Sequence, residues 1–513
     1  MHVETCRISK TFLRAIVLAA YVGCITYVAG AGCAKVNPRP DFEQVSELVR
    51  TSGGGDLPPN AVYAGEDALK AETDALLAEG LTSETCARLC VRRNPRVRAA
   101  LARVGAVRAD VVQASLLSNP GLSLSSRFPD GGGLTNLEVA IAQNLSDLWL
   151  IPVRRRAAEG ELEREILATA REVSETVTSA RAAYFEAVAA DEAVVLAREH
   201  RELTARLVEI AEARRDAGVG SEIDVNIVRA EGMRAEVTAR EAEREAFEAR
   251  RRLCVLLGVA TEPRAIVLTE ALPEAPDASL DPETLVERSV SGRLDVRAAE
   301  ALVRKAAARV TEARRSVFSE VEVGVAMERA DRPPGGDKNI LFNTLHESAH
   351  AGELVGPELY NPTDDGQDVI LGPTLSFALP IFDQNQARIA RAEFELIEAR
   401  LLLEALKLDV AQQTRSACVA ASTAWGVSVF YRDELLPLAQ TNLELSREAY
   451  RIGKVSVLSM VEAQRAVVAA RREHLNVRGA SARAVSELEK AVGLPITRIL
   501  APERSGVDEA ESP

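Results

Sequence analysis

The chain has 513 residues and a formal net charge of −14, and charged residues make up 27% of it while aromatic residues make up only 4%. This composition is typical of long helices with packed seams rather than of an aromatic-rich, compact enzyme core. A nucleic-acid partner is disfavoured, because phosphate binding requires clustered Lys and Arg, whereas the Arg residues here are interleaved with Glu.

The first 32 residues have the pattern of an export signal. Arg7 and Lys10 precede a mostly apolar stretch that ends in small residues at 29–32. This order is typical of a secretory signal peptide, which we assign to residues 1–32. Cys33 follows directly, as at the site where a bacterial lipoprotein is cleaved and lipidated on its cysteine. An ordinary signal peptide with a chance cysteine, or an uncleaved helix, is the alternative.

Four cysteines remain beyond Cys33 and are predicted to be small packing residues. Cys86 and Cys90 are four residues apart on a predicted helix, where their Cβ vectors are poorly aimed for a disulfide. They also lack the neighbouring His or Cys residues of a zinc site. Cys254 and Cys418 are isolated in the sequence.

The rest of the chain contains an internal duplication. The sequence Val-Arg-Ala-Ala at 97–100 recurs at 296–299, which is 199 residues later. The turn at Gly218–Ser221 recurs at Gly453–Ser456, which is 235 residues later. The larger offset predicts that the second half carries an insertion of about 36 residues, at about 328–368.

Each half is predicted to hold the same elements: a helix, two strand-like segments, a longer helix, a Gly turn and a returning helix. The predicted helices span 94–117, 154–217 and 222–257 in the first half, and 293–316, 384–452 and 457–492 in the second. The longer helices carry apolar residues at spacings of three and four, which predicts coiled-coil-like seams. In the first of them these residues are Leu162, Ile166, Ala170, Val173, Val177, Ala180, Tyr184 and Ala187. Such long helices need partners along their whole length, which implies a bundle or a helical barrel.

The strand-like segments alternate apolar residues with small or polar ones. In the first half they lie around Leu122–Leu124 and Leu137–Ile141, and in the second around Val321–Met327 and Leu375–Leu379. This period predicts strands with one lipid face and one polar lumen face. Half-buried strands of a soluble sheet fit the alternation equally well.

The ordered set of elements, occurring twice behind a signal peptide, resembles the outer membrane factor (TolC) family. Local stretches similar to family patterns are Leu81–Ala100, Leu117–Pro120 and Leu379–Asp383. The resemblance covers residues 81–496. It divides the chain into a signal peptide (1–32), a tether or arm (33–80), a first outer-membrane-efflux repeat (81–262), a linker (263–280), a second repeat (281–496) and a tail (497–513).

The resemblance implies a mainly α fold with a small β part, forming one third of a trimeric α-helical tunnel topped by a 12-stranded transmembrane β-barrel. It places the protein in the cell outer membrane with a periplasmic helical tunnel, anchored also by lipid on Cys33. The expected function is a passive exit duct, with no enzymatic activity and no cofactor. An inner-membrane RND or ABC pump would deliver metal ions, drugs or other small molecules through a periplasmic adaptor (membrane fusion) protein.

The cargo is less closely defined than the duct. The segment Leu379–Gln386 looks most similar to branches that serve cation or heavy-metal efflux. Branches that export drugs share much of it, so both classes of cargo stay open.

The resemblance also implies functional positions at the two Gly turns and just beyond them. Adaptor contact is expected at Gly218, Val219, Gly220, Ser221, Gly453, Lys454, Val455 and Ser456. The turn glycines suit a left-handed helix end, and the two serines suit helix N-caps. A periplasmic gate is expected at Glu462, Ser459 and Asp224. Ser459 departs from the family's paired acids, and a solvated surface carboxylate is the alternative for Glu462.

One motif inside the predicted insertion points to a different chemistry. His346-Glu347-Ser348-Ala349-His350 fits the H-E-x-x-H pattern, in which two His bind zinc and Glu activates water. No Glu follows at the spacing usual for the third ligand, and Pro and Gly flank the motif. We expect an external loop, with weak metal capture by His346 and His350 and a zinc-dependent hydrolase as alternatives. An elongated periplasmic coiled-coil scaffold is the other rival function, because it too would show long seamed helices.

Overall fold

The structure, a computed structural model, describes residues 35–63, 65–128, 136–276, 279–318, 320–331, 367–452 and 454–500. The chain forms two compact units. The first unit contains Met1–Val112, Gly160–Leu302 and Ala399–Pro513, and the second contains Gln113–Glu159 and Val303–Glu398.

Helices account for most of the described residues. Those of the first half are α1 (Arg39–Thr51), α2 (Glu66–Glu79), α3 (Ser83–Arg93), α4 (Pro95–Ala114), α5 (Asp147–Asp216) and α6 (Glu222–Leu257). Those of the second half are α7 (Pro282–Gly292), α8 (Leu294–Arg315), α9 (Gln386–Phe430), α10 (Leu436–Arg451), α11 (Val457–Val492) and α12 (Ile496–Ile499). The mainly helical fold with a small β part is thereby confirmed. No helix among these residues is long and apolar enough to cross a membrane.

The predicted single helix over 384–452 is wrong in one respect. A π-helical turn at Tyr431–Leu435 separates α9 from α10, and Pro437 lies in the first turn of α10. Proline lacks the N–H that an α-helix needs, and its ring clashes with the carbonyl group four residues earlier. The wider π turn makes room for the proline ring, so the helix continues through it without changing direction.

The seam predicted for α5 lies in the core of the first unit. Leu162, Ile166, Val173, Val177, Tyr184 and the three alanines at 170, 180 and 187 are all buried. Tyr184 is fully enclosed, and its hydroxyl donates to the Leu81 carbonyl at 2.9 Å. On α6 the buried seam consists largely of alanines at 235, 239, 242, 246 and 249. Small side chains at this spacing allow neighbouring helices to approach closely.

The segment predicted as a tether or arm is folded where it is described. Phe42, Val45 and Val49 of α1 are buried in the first unit. Asp41, which is 3% exposed, accepts two hydrogen bonds from the Arg108 guanidinium of α4. A buried carboxylate requires this kind of charged, bidentate partner, so α1 is fastened to the helical body.

The four cysteines are buried and free, as packing residues would be. Burial raises the pKa of Cys90 to about 12 and raises that of Cys86 further. Their thiols therefore stay protonated near neutral pH and are poor nucleophiles.

The second unit contains a four-stranded antiparallel sheet in the order β1-β2-β3-β4. The strands are β1 (Gly121–Arg127), β2 (Asn136–Asn144), β3 (Val321–Asp331) and β4 (Gln367–Phe377). Strands from the two halves pair at the centre, where Ile141 of β2 lies opposite Val325 of β3. The sheet thus joins the two repeats.

The predicted insertion at 328–368 begins and ends within the sheet. Strand β3 continues to Asp331 and β4 starts at Gln367, so both ends of the insertion form ladder pairs. The β3–β4 hairpin has eleven such pairs and the β1–β2 hairpin has seven. The rest of the insertion, with His346 and His350, lies outside the described residues, as does Cys33.

Candidate functional site: the two turns and the sheet

The first turn, between α5 and α6, has the backbone geometry expected of a helix end. Gly218 has φ +74°, in the left-handed region, and no atom lies near the place of a Cβ. Its N–H donates to Arg215 O at 2.9 Å and the Val219 N–H donates to Arg214 O at 3.0 Å, which satisfies the last carbonyls of α5. Val219 is an apolar residue with 66% of its surface exposed. The turn therefore presents an open apolar point to solvent.

Ser221 caps the returning helix α6 in a capping box. Its Oγ accepts from the Asp224 N–H at 3.1 Å, and the Asp224 carboxylate accepts from the Ser221 N–H at 3.1 Å. The carboxylate also accepts from the Ser221 hydroxyl at 2.8 Å. Asp224, a predicted gate residue, is thus engaged by the first turn of its own helix.

The second turn repeats the cap in a weaker form. Ser456 Oγ accepts from the Ser459 N–H at 3.4 Å, and the two hydroxyls are 3.3 Å apart. Ser459 occupies the position that Asp224 has in the first half, at the same offset of 235 residues. Without a carboxylate at this position, the reciprocal bond is missing. Lys454 is exposed and its N–H donates to Ala449 O at 2.9 Å, whereas Gly453 lies outside the described residues.

An apolar cluster, the turn core, packs the two returning helices together beside the turns. Its buried members are Ala211, Val225, Val228, Val457, Met460 and Val461. Tyr450 of α10 packs against this cluster, and the Arg214 guanidinium of α5 lies 4.9 Å from the centre of its ring. Helices α5 and α6 form the first helical hairpin, and α9, α10 and α11 form the second. The turn core and this cation–π contact join the two hairpins.

Glu462, the principal predicted gate residue, is more than half exposed and paired. Its Oε1 lies 2.7 Å from Arg465 Nη1, one turn further along α11. The same guanidinium donates two hydrogen bonds to Oε2 of Glu231 on α6, one of them at 2.9 Å. Arg465 therefore connects an exposed carboxylate to a buried one on the other hairpin.

Sequence reasoning missed Glu231, which is 6% exposed. Its signal was present: Glu231 follows Val225 and Val228 at steps of three residues, which places it on the buried face of α6. A carboxylate at a seam position requires a buried cationic partner. That partner, Arg465, comes from a helix 234 residues away, and only the tertiary structure brings it there.

The sheet has two chemically different faces. The register places large apolar side chains on one face: Leu122, Leu124, Ile141, Val325, Met327, Leu375 and Phe377. All seven are exposed, and Leu122 is 72% exposed. The other face carries Ser123, Ser125, Glu138, Ala140, Glu322, Gly324, Glu328 and Thr374, with Ile370 as an apolar exception.

The sheet also has two open edges. Among the described strands, β1 pairs only with β2 and β4 pairs only with β3. Pro373 lies within β4, where it lacks the N–H of one possible ladder hydrogen bond. An exposed apolar face and two unpaired edges are liabilities in water.

No group of three or more potential metal ligands of the His, Cys, Asp and Glu types occurs in the part of the chain that the structure describes. His346 and His350 are outside that part, so the expected external loop and its alternative, weak metal capture by these residues, both stay hypotheses.

Comparison with known proteins agrees with this description of the fold. Residues 285–494 match the family model for outer membrane efflux proteins. The chain is 23% identical over 416 residues to the cobalt-zinc-cadmium resistance protein CzcC of Cupriavidus metallidurans, which covers 80% of this chain and 90% of that protein.

Solved structures show the same fold. A membrane protein from Pseudomonas aeruginosa superposes with a TM-score of 0.63 at 18% identity, covering 80% of this chain and 93% of that one. The outer membrane channel MtrE of Neisseria gonorrhoeae, in its open state, superposes with a TM-score of 0.59 at 16% identity, covering 80% and 89%. Residues 285–494, which include the helices of the second repeat, thus match the outer membrane efflux protein family, and the chain has the fold of the solved outer membrane channels.

Proposed function

We propose that this protein is one subunit of an outer-membrane duct through which an inner-membrane pump expels small solutes across the periplasm. The observation that carries the proposal is the sheet. Its exposed apolar face and polar opposite face fit a wall between lipid and water, and the chain also contains two helical hairpins with buried seams.

The open edges of the sheet explain why the chain would act as a trimer. In lipid, unpaired backbone N–H and C=O groups are too costly, so a spanning sheet must close on itself. Four strands are too few to close alone. Three copies would supply twelve strands, in which β1 of one subunit pairs with β4 of the next.

The two turns are the proposed contacts for a periplasmic adaptor protein. Val219 is exposed at the first turn, and Lys454 is exposed at the second. An apolar side chain with no partner in the subunit fits a docking surface. Glu462, Ser459 and Asp224 remain the proposed gate positions, with the pairing of Glu462 to Arg465 as an added restraint on the first of them.

The proposed cargo is a divalent metal cation. The resemblance of Leu379–Gln386 to metal-efflux branches supports this, and so does the similarity to a protein named for cobalt, zinc and cadmium resistance. The duct itself is proposed to be passive, with the pump supplying energy and most of the selectivity. Lipid on Cys33 would add an anchor to the outer membrane without spanning it.

Fractionation tests the duct. We expect the full chain in the outer-membrane fraction, as a trimer that resists dissociation in detergent until it is heated. A soluble, elongated periplasmic dimer would overturn the proposal and favour a coiled-coil scaffold. Lipidation of Cys33 is tested separately from the duct with globomycin, which blocks cleavage of lipoprotein signals. A Cys33→Ser variant should mature whether or not globomycin is present.

Deletion of the chain from its host tests the cargo. Loss of the duct should lower resistance to cobalt, zinc or cadmium, and the full chain should restore it. Lowered resistance to organic drugs alone, with metal resistance unchanged, would contradict the metal assignment while leaving the duct intact.

A further inference from the structure

A polar cluster lies in the seam between the two helical hairpins, beyond the turn core. We define the seam cluster as Glu231 and Arg234 on α6, Glu462 and Arg465 on α11, and His200 on α5. Both hairpins therefore contribute to it. Apart from His200, its two carboxylates balance its two guanidinium groups.

Glu231 is the centre of the seam cluster. Its Oε2 accepts two hydrogen bonds from Arg465 and lies 3.4 Å from Arg234 Nη1. Burial acts to raise the pKa of Glu231, but the hydrogen bonds and charge of Arg465 prevail and hold it below its ordinary 4.5. Since Arg465 belongs to the second hairpin, this ion pair fastens one hairpin to the other.

His200 faces the other oxygen of the same carboxylate. Its side chain is 10% exposed, and its Nε2 lies 4.0 Å from Glu231 Oε1, beyond hydrogen-bonding distance. Within the described residues, Nε2 has no hydrogen-bond partner. A buried ring nitrogen without a partner fits a neutral imidazole better than a charged one.

His200 also lines a cavity of about 370 Å³ between α5, α10 and α11. The charged groups around the cavity are Glu199 on α5, Glu444 and Arg447 on α10, and Arg471 on α11. These two acids and two bases carry no net charge together. They therefore provide no net negative charge that would stabilise a protonated His200. The cavity is large enough for several waters, which gives the buried ring a route for proton exchange.

We propose that His200 is a proton-sensitive element that loosens the contact between the two hairpins when the periplasm becomes acidic. A protonated ring would place a third cation around Glu231, in competition with Arg465 and Arg234. The seam cluster would then hold two carboxylates and three cations, of which only Arg234 is mostly exposed to water, so the ring moves toward the cavity or the Arg465 guanidinium leaves. Either movement weakens the link that joins α6 to α11.

The direction of the pH effect follows from His200. Burial lowers the pKa of His200 from its ordinary 6.5, Glu231 acts to raise it, Arg465 acts to lower it, and the net direction is down. A histidine with a lowered pKa stabilises the packed seam fully above pH 6.5 and ceases to do so as the pH falls through its pKa in the packed state. Glu231 adds loss in the same direction, below pH 4.5.

The consequence for transport rests on the proposed function. If the protein is a duct, a looser seam beside the turns favours separation of the hairpins and hence an open periplasmic end at low pH. The movement of the hairpins is independent of that role and is measured separately.

Electron paramagnetic resonance on the intact, detergent-solubilised protein tests the movement. Spin labels at Glu202→Cys on α5 and Arg472→Cys on α11 occupy exposed positions on two of the helices that line the cavity, one from each hairpin. Labelled chains are diluted with unlabelled ones, and protein without the two new cysteines gives the background. We expect the distance distribution to lengthen or broaden below pH 6.5, with a midpoint below that value.

Two variants make the test specific. His200→Gln removes the titrating ring and should abolish the change between pH 6.5 and 5, while the neutral-pH distance is kept. His474→Gln is the matched control, because His474 also lies half-buried on a long helix with a lowered pKa but is not near Glu231. This control should change with pH as the unaltered protein does.

Three results would overturn the inference: no change with pH, an unaltered change in His200→Gln, or a change lost equally in His474→Gln. Conductance across a planar bilayer, recorded on the same samples, reports on the duct. A pH-dependent distance without conductance would count against the proposed function and leave the role of His200 standing.

Discussion

At the residue scale, the most consequential side chains are those that carry charge into the helix seams. Arg465 donates two hydrogen bonds to the buried Glu231 and one to the exposed Glu462. The two contacts differ in value, because two charged hydrogen bonds to a buried carboxylate contribute far more than one to an exposed carboxylate. Glu462, the candidate gate carboxylate, is thus held by Arg465, whose stronger contact is with Glu231.

Replacing Arg465 with Gln should destabilise the contact between the hairpins. Glu231 would keep only Arg234 at 3.4 Å, and a buried carboxylate with poorer hydrogen bonding costs about 1–3 kcal/mol. We expect a lower midpoint of thermal unfolding by circular dichroism. Arg451→Gln is the control, since its partner Glu448 is exposed and the change should be within about 0.5 kcal/mol. Equal midpoints for the two variants would contradict the assignment.

The buried cysteines should be inert in the native protein. Burial holds the thiol pKa of Cys90 at about 12, so the reactive thiolate is scarce at neutral pH. N-Ethylmaleimide should leave Cys86, Cys90, Cys254 and Cys418 unmodified before denaturation and modify all four after it, as read by mass spectrometry. A Val219→Cys variant, exposed at the first turn, should react at once. Rapid modification of Cys86 or Cys90 in the native protein would contradict this expectation, because it would show that α3 separates from the residues that bury the two thiols.

At the element scale, the sheet depends on close contact between β2 and β3, the strands that join the repeats. Gly324 lies there, and a Cβ added to it would be 2.5 Å from the Ile141 carbonyl oxygen and 2.8 Å from Thr374 Oγ. Backbone cannot yield as a flexible side chain can, so only glycine fits. Gly372, one strand away on the same face, has open space around the corresponding point.

This pair of glycines gives a matched test of the sheet. Gly324→Val should disrupt the β2–β3 ladder and sharply reduce the yield of heat-modifiable oligomers in the outer membrane. Gly372→Val should leave that yield close to that of the unaltered protein. If both variants assemble equally well, then β2 and β3 do not approach as closely as described.

At the scale of the whole molecule, the match of residues 285–494 to outer membrane efflux proteins and the chemistry of the sheet support the same proposed function. The chain has exposed apolar surface where lipid is proposed and exposed turns where a partner is proposed. Each surface would be covered only in an assembly, which is why the single chain leaves them open.

Docking at the first turn can be separated from duct formation. Val219→Asp places a charge on the exposed apolar point between α5 and α6 and should lower export, measured as survival on toxic metal, by at least tenfold. The same variant should keep its oligomeric state and its conductance in a planar bilayer, because Val219 lies outside the turn core. Full survival would remove this turn from the proposed adaptor contact.

Local pattern was sufficient for much of the fold. The bounds of α6 and α11 agree with prediction, because Gly and Ser punctuate both ends and the seam spacing is regular. Where a local rule was overlooked, the prediction failed: Pro437 required the π turn before α10. Candidate turn residues followed from the repeat. The seam position of Glu231 could be read from its spacing, but its partner Arg465 and the burial of His200 depend on contacts between distant parts of the chain.

The sequence by itself determined the duplication, the helical seams, the caps at Ser221 and Ser456 and the alternation of the strands, since each depends on residues that are near neighbours in the chain. Only the tertiary structure decided which residues meet across the repeats. The strand pairing of Ile141 with Val325 and the ion pair of Glu231 with Arg465 join residues roughly 200 positions apart. Charge and hydrophobicity specify that a buried carboxylate needs a cation, but among the many arginines of this chain only packing selects the one that reaches it.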